Sequence, residues 1–263
     1  CKGEYNLLLG AGVSLDSVNI KNEKMLSGEM LRRQIASILN AKDNTPLNRL
    51  SRVLIEDKRN DVLDEIFTNG YTTKTTGNSL KYIPNYVWKN IFTFNIDNVL
   101  ETVYHNHSNC KQNIVPINYI DSLSVDRDLS NLQLIHLHGT VDAADKGYVF
   151  SINDYVNFMR EINPWMVMLA EALPVDPFII SGASLSEPDL EFYLSKKLPN
   201  SPRKSNAPSL LIEPFPDSVI ESECKTRGIT IVKATMEDFM NWVFTEMSKP
   251  PTIQELFNFE KEL

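Results

Sequence analysis

Hydrophobic positions along this chain follow two alternating rhythms. Short, nearly continuous apolar runs occupy residues 6–9, 90–94, 133–137, 177–181, 209–212 and 229–232, the pattern of strands buried on both faces. Between them apolar residues recur at three- and four-residue spacing, the mark of helices with one buried stripe. Met25, Leu26, Met30, Leu31, Ile35, Ile38 and Leu39 begin such a series. Leu47, Leu50 and Leu54, then Val62, Leu63, Ile66 and Phe67, continue it, predicting a helical insertion over about residues 22–88. Its Met and aromatic content is most simply core packing. Val99, Leu100, Val103 and Tyr104 share a helix face directly after the second strand. Ser151 and Asp154 form a Ser-x-x-Asp capping box that opens another helix. Pro164 interrupts that helix, and a further apolar stretch from Trp165 to Leu173 stops at Pro174. Ser186 to Asp189 reads as one more cap, and Phe239, Trp242, Val243 and Met247 predict a last helix before Pro250 and Pro251 break the chain.

Six apolar strands alternating with helices predict an α/β fold: a six-stranded parallel sheet with helices on both faces and an insertion after the first strand. The expected domain spans residues 1–248, and residues 249–263 are a helical tail or the start of a linker to a further domain. In such sheets ligands sit outside the carboxyl ends of the strands, where strand order reverses. Five segments fall at those ends: Gly10-Ala11-Gly12, residues 93–97, His138-Gly139, Gly182-Ala183-Ser184 and Glu213. Four of the ten glycines lie in them, at Gly10, Gly12, Gly139 and Gly182. The first of these loops, a strand running into two glycines one residue apart and then Ser14, makes a nest of backbone N–H groups suited to phosphate. Taken alone, such a glycine pair is more often an ordinary tight turn.

Composition narrows the partners. A net charge of −8 argues against a nucleic-acid surface of any size, since phosphate contacts need clustered Lys and Arg. No run approaches the roughly 18 apolar residues of a membrane span. Three scattered cysteines, Cys1, Cys110 and Cys224, form no Cys-x-x-Cys pair, so neither a disulfide framework nor a structural zinc site is expected. Reduced cytoplasm is the compartment this cysteine usage predicts. The chain opens on Cys1, which we take as the start of a piece of a longer protein, with a lipidated cysteine as the rival explanation.

Several rim residues have plainer readings. Asp97 stands where a helix N-cap belongs, Asn95 suits the turn before it, and Glu213 precedes Pro214 as a turn residue would. His136 and His138 point to one face of their strand, since side chains alternate. His138 lies nearer the rim and is the functional candidate, with His136 as a buried structural histidine. His105 and His107, at a helix end, lack further ligands at usable spacing for a metal.

Taken together, the rim motifs resemble the sirtuin family. Gly10-Ala11-Gly12-Val13-Ser14 resembles its Gly-Ala-Gly-x-Ser loop, and residues 93–97 (Thr-Phe-Asn-Ile-Asp) its Thr-Gln-Asn-Ile-Asp signature. His138-Gly139 matches its His-Gly pair, and Gly182-Ala183-Ser184-Leu185 its Gly-Thr-Ser-Leu loop. The order holds from about residue 5 to 247. The departures are a missing zinc module, Phe94 in place of the glutamine, and no match to the loop that holds an acylated lysine. Ser184 to Leu190 is instead similar to the zinc-free, sirtuin-like NAD hydrolases of bacterial anti-phage systems. The resemblance implies a Rossmann-like core and NAD as substrate, without zinc. It implies cleavage of the nicotinamide–ribose bond, with Asn95, Asp97 and His138 catalytic. Gly10, Ala11, Gly12, Ser14, Thr93, Gly182, Ser184 and Glu213 would bind the nucleotide. It also implies a homo-oligomer and a regulatory or sensor partner, helicase-like or nuclease-like. An NAD- or ADP-ribose-sensing module and a zinc-free deacylase or ADP-ribosyltransferase are the alternatives.

The chemistry fits these residue types. The bond breaks through an oxocarbenium-like state, so the site must hold the dinucleotide, favour nicotinamide departure and place a water. An asparagine side chain both donates and accepts, and can fix a ribose hydroxyl or that water. Asp97 can orient the carboxamide. Histidine is the residue type suited to taking a proton from a hydroxyl or water near neutral pH. A carboxylate at Glu213 can take both hydroxyls of the adenine ribose and repel a 2′-phosphate, predicting preference for NAD over NADP.

Overall fold

The computed structural model describes residues 3–57, 59–123, 128–183, 188–195 and 206–247. A seven-stranded, all-parallel sheet runs through it. In chain order its strands and partners are β1 (Asn6–Leu9), a short antiparallel pair outside the main sheet made of β2 (Val18–Asn19) and β3 (Thr73–Thr75), β4 (Ile91–Thr93), β5 (Asn113–Asn118), β6 (Asn131–His136), β7 (Phe178–Ser181), β8 (Ser209–Ile212) and β9 (Ile229–Val232). The spatial order is β5-β6-β4-β1-β7-β8-β9. The chain thus enters at the centre on β1, builds one half through β4 to β6, and returns beside β1 to build the other. Strand order reverses at β1 and β7.

Alternation along β1 explains the two layers of core. Leu7 and Leu9 face one side, among Val99, Leu100, Val103 and Tyr104 of α4 (Val99–Asn106) and Met236, Phe239 and Met240 of α9 (Met236–Glu246). Leu8 faces the other, among Phe158 of α5 (Ile152–Arg160) and Trp165, Met166 and Leu169 of α6 (Pro164–Ala172). Each fully buried Leu contributes about 2 kcal/mol of transfer free energy to holding the sheet between its layers. The insertion forms α1 (Gly28–Ile38), α2 (Leu47–Glu56) and α3 (Asn60–Tyr71) around a third apolar cluster, with Leu31, Ile35, Leu50, Leu54 and Phe67 inside. Ile96 and Phe150, from beyond the carboxyl edge of the sheet, pack against it, so the insertion roofs that edge. The predicted capping box is present: Ser151 Oγ accepts from Asp154 N–H, and the Asp154 carboxylate accepts from Ser151 N–H at 2.6 Å.

The sheet has seven strands where the apolar pattern predicts six. The additional strand, β5, is an edge strand with mostly half-exposed or exposed residues and Pro116 in its interior. An edge strand needs only one bonded side, so it tolerates proline and carries little hydrophobic signal. A charged helix, α8 (Ser218–Arg227), with Asp217 as its cap and Gly228 in the left-handed conformation after it, likewise has no strong apolar stripe. A shorter helix, α7 (Pro188–Ser195), follows β7. Its predicted cap at Ser186, Pro250-Pro251 and the tail 252–263 lie outside the described residues.

At the reversal point the loops after β1 and β7 meet backbone to backbone. Gly10 N–H donates to Ser181 O at 3.1 Å and Gly12 N–H to Gly182 O at 3.2 Å. A Cβ on Gly10 would stand 2.2 Å from Gly182 O, and one on Gly12 2.8 Å from Gly182 Cα. Gly182 has φ +62°, and a Cβ there would lie 2.7 Å from Val13 N. Because backbone cannot yield as a flexible side chain can, Gly10→Ala is expected to cost about 2–3 kcal/mol or more of unfolding free energy. Gly28→Ala, where an added Cβ meets nothing within 4 Å, is expected to stay within about 1 kcal/mol of the parent. Urea unfolding of the two variants side by side measures the difference.

Candidate functional site

A cavity of about 160 Å³ opens at the carboxyl edge of the sheet. Its floor is Ala11 and Ser14 from the loop after β1, Phe94, Asn95 and Asp97 from the loop after β4, and His138 two residues beyond the end of β6. Its roof comes from the insertion: Met25, Leu26, Leu31, Leu47 and Tyr71. Val149, Phe150 and Tyr155 close the third side. A mostly apolar lining with a few convergent polar groups is the usual makeup of a small-molecule site.

The polar groups are tied into one chain. Thr93 Oγ1 donates to Leu9 O and accepts from Asn95 N–H, both at 3.0 Å, so the buried threonine stitches the end of β4 to β1 and starts the turn. The Asn95 side-chain amide donates to Ser14 Oγ at 3.1 Å. Ser14, 2 % exposed, also hydrogen-bonds to Asp97. Asp97 Oδ1 accepts from Val99 N–H at 3.2 Å. The N-cap of α4 is Asn98, so Asp97 stands one residue before the position a capping reading predicts, yet its carboxylate serves the first N–H of the helix and lines the cavity as well. Burial pushes its carboxyl up to about 6, with the Val99 and Ser14 hydrogen bonds and His136 holding it lower and Glu101 adding to the rise. Burial, then the charge of Asp97, also raises Tyr71.

His138 is buried in an aromatic setting. Its ring lies 5.0 Å from Phe94, centroid to centroid, and meets Tyr155 edge-on at 5.3 Å. Phe94, where the resemblance expects glutamine, therefore forms one wall against the histidine. Gly139 holds φ +90°, and a Cβ there would stand 2.6 Å from Gly147 O. That tight return lets Val149 N–H reach His138 O at 3.1 Å and brings the Val149-Phe150 wall alongside.

The structure therefore brings Ala11, Ser14, Asn95, Asp97 and His138 onto one cavity. It puts other expected residues elsewhere. The Gly10 and Gly12 amides are occupied by the carbonyls of Ser181, the last residue of β7, and Gly182 just after it, which leaves the Ala11 N–H as the one amide of that trio with no partner among the described residues. Gly182 makes the close approach described above. Glu213 directly follows β8, does not line the cavity, and accepts from Phe215 N–H at 3.1 Å. Ser184 lies outside the described residues. His136 is buried beneath the cavity, as expected of the structural histidine. The roof residues carry no signal in one dimension, because helical apolar spacing does not tell core from lid. Among the described residues no cluster of three or more His, Cys, Asp or Glu is placed to hold a metal, and no helix is long and apolar enough to cross a membrane.

The chain belongs to the SIR2-like domain family, whose model matches residues 89–232. A comparison with functionally curated proteins finds no match. Among solved structures the chain is similar to Sir2 in complex with an inhibitor, 2′-O-acetyl-ADP-ribose and a deacetylated p53 peptide. That similarity has a TM-score of 0.43 and 11% identity over 93% of this chain and 94% of that one. It is also similar to a Sir2 variant with deacetylated p53 peptide and 3′-O-acetyl-ADP-ribose, at a TM-score of 0.40 and 11% identity over 92% of each chain. Similarity at that level assigns no residue a role.

The buried Asp97 carboxyl yields a test. Its folded value lies above the unfolded value of 3.8, so the folded chain holds this proton more tightly. Its contribution to stability is present below the unfolded value and is lost as pH rises through about 6. Asp97→Asn cannot ionise and retains an oxygen for Val99 N–H. The variant is expected to be more stable than the parent at pH 8, by roughly 2–3 kcal/mol. At pH 4 the gap closes. Denaturant titrations of both proteins at the two pH values check the sign.

Proposed function

We propose that this chain is an NAD glycohydrolase that cleaves the nicotinamide–ribose bond to give nicotinamide and ADP-ribose. The observation that carries this reading is that Asn95 and His138 line one cavity with apolar walls, at the carboxyl edge of a SIR2-like sheet. At about 160 Å³ the cavity is smaller than the roughly 300–1,000 Å³ of pockets that enclose whole ligands. It takes the nicotinamide end, while the pyrophosphate crosses the rim at the open Ala11 N–H and the adenosine lies toward Gly182 and Glu213.

In the reaction a water oxygen bonds to the ribose carbon as the carbon–nitrogen bond breaks. The bond electrons pass to the ring nitrogen, so nicotinamide leaves neutral, and the water gives up a proton. Asn95 donates its amide hydrogen to Ser14, which leaves its side-chain carbonyl to accept from a ribose hydroxyl or the attacking water. His138 takes the proton from that water or from the hydroxyl that activates it. Asp97 orients the departing carboxamide. The walls of Leu26, Leu31, Phe94 and Val149 exclude bulk water and strengthen each polar contact within. The absence of a matching acyl-lysine loop in the sequence is the reason to prefer water over an acylated peptide as acceptor.

The resemblance to anti-phage NAD hydrolases sets the biological reading: a cytoplasmic, NAD-depleting effector held in check by self-assembly or a sensor partner. Without such control an NAD hydrolase kills its host.

Incubating the protein with NAD and an acylated peptide, then resolving products by mass, is expected to give free ADP-ribose and nicotinamide with the peptide unchanged. Unchanged NAD would favour a sensing module, and a modified peptide a deacylase or transferase. Asn95→Ala and His138→Ala are each expected to cut nicotinamide release at least about 100-fold while near-ultraviolet circular dichroism is preserved. Undiminished turnover in both overturns the site. NADP is expected to be cleaved more slowly than NAD, and equal rates would remove the role given to Glu213.

A further inference from the structure

Beneath the cavity lies a second set of ionisable groups. His136, the last residue of β6, is 1 % exposed. Its Nδ1 lies 3.0 Å from the backbone carbonyl of Asn95, and its Nε2 lies 2.8 Å from Glu101 Oε1, in the first turn of α4. A carbonyl oxygen only accepts, so Nδ1 must carry its hydrogen. The contact between Nε2 and Glu101 needs a hydrogen as well, borne by the ring or by the carboxyl. The pair therefore holds one proton more than a neutral imidazole beside a bare carboxylate. Glu101 and His136 line a small chamber of about 10 Å³ together with Thr93 and apolar Leu9, Val13, Leu80 and Leu100. Its remaining lining residues, Ser14, Asn95 and Asp97, also line the site above. The other oxygen of Glu101 is buried and without a partner among the described residues.

We propose that His136 and Glu101 are positioning residues, a buried pair sharing one proton that clamps the main chain of Asn95 and sets the angle at which its side chain enters the cavity. The Asn95 carbonyl sits between two tight turns, and no repeating ladder bond holds it, since β4 ends at Thr93. Histidine in the adjacent strand supplies the missing donor. The pair also explains why α4 begins where it does. Glu101 must reach back across its first turn to His136, while Asp97 accepts from Val99 N–H in the same turn. The other ionisable groups acting on the pair are Asp97, from the loop after β4, and Asp142, from the segment after Gly139. Burial pulls the His136 ring down, but the Glu101 hydrogen bond and charge, the Asn95 carbonyl and Asp97 outweigh it and leave the ring raised.

The kinetic consequence rests on the NAD-cleavage reading, whereas the clamp itself does not. Nitrogen-15 NMR of the imidazole rings in the full chain is expected to show both His136 nitrogens protonated, or sharing a strong hydrogen bond with Glu101, across neutral pH. A neutral ring with a bare Nε2 overturns the proposal whatever the activity. Glu101→Leu is expected to lower kcat for nicotinamide release about 30- to 100-fold with KM for NAD changed less than about threefold, because a misplaced catalytic group costs rate rather than binding. Glu101→Gln donates its amide to Nε2 while Nδ1–H stays on Asn95, and is expected to recover kcat to within about fivefold of the parent. It should also remove the fall in rate at alkaline pH that loss of the shared proton causes. Parent-like kcat in Glu101→Leu, or equal damage in both variants with the fold intact, rejects the clamp. Should Glu101→Leu fail to fold, Glu101→Gln and the NMR spectrum decide. A parent protein that leaves NAD untouched refutes the functional reading, and the imidazole spectrum still judges the pair.

Discussion

The whole carboxyl edge of this sheet depends on a contact between two stretches of backbone. The loop after β1 and the loop after β7 come so close that neither Gly10 nor Gly12 nor Gly182 has space for a Cβ, and two hydrogen bonds lock them together. β1 is the central strand, so the contact fixes the rim at the point where strand order reverses. From there Leu9 O, by accepting from both Thr93 Oγ1 and Phe94 N–H, sets the exit of β4. Thr93 O in turn accepts from Leu137 N–H and aligns the residue before His138. Each loop of the site is thus registered against its neighbour by main-chain bonds, which tolerate little displacement.

On this frame sits a connected polar network: Asn95 to Ser14 to Asp97, with His136 and Glu101 below. Such groups are costly to bury, and their hydrogen bonds roughly offset the cost instead of adding stability. A carboxyl pushed up to about 6 in a SIR2-like cavity is a folding expense that packing elsewhere must cover. The two apolar layers on either side of β1 provide that margin. Local destabilisation of this kind is common where chemistry is done, because charged groups held away from water interact more strongly with a ligand.

The glycine loop has a second meaning in the structure. Its motif reads as a phosphate cradle, yet two of its three amides are directed at the end of β7 and the loop after it. The glycines are required because backbone meets backbone, and the Ala11 N–H is the one amide of the three left without a partner among the described residues. In the same way Thr93 and Ser14 act inside the rim, orienting Asn95 from beneath. Fewer motif side chains line the cavity than the motifs count: Ser14 both lines it and holds Asn95, whereas Thr93 supports the Asn95 turn without reaching it.

The order of apolar runs alone determines that this is a parallel α/β sheet with an inserted helical segment, because burial on both faces leaves strands almost wholly apolar. It also determines where the rim lies on the half of the sheet that carries the cavity, since β1, β4, β6 and β7 run into a glycine, an asparagine or a histidine-glycine pair within three residues of their ends. The edge strand β5 and the helix α8 escaped because half-exposed elements need little hydrophobic signal. Tertiary structure decided the rest. Only in three dimensions do Met25, Leu26 and Leu31 become a roof, since an apolar stripe looks the same whether it covers a core or a cavity. And only there do His136 and Glu101 meet, 35 residues apart, because a hydrogen bond across two elements depends on their packing and leaves no period in the chain.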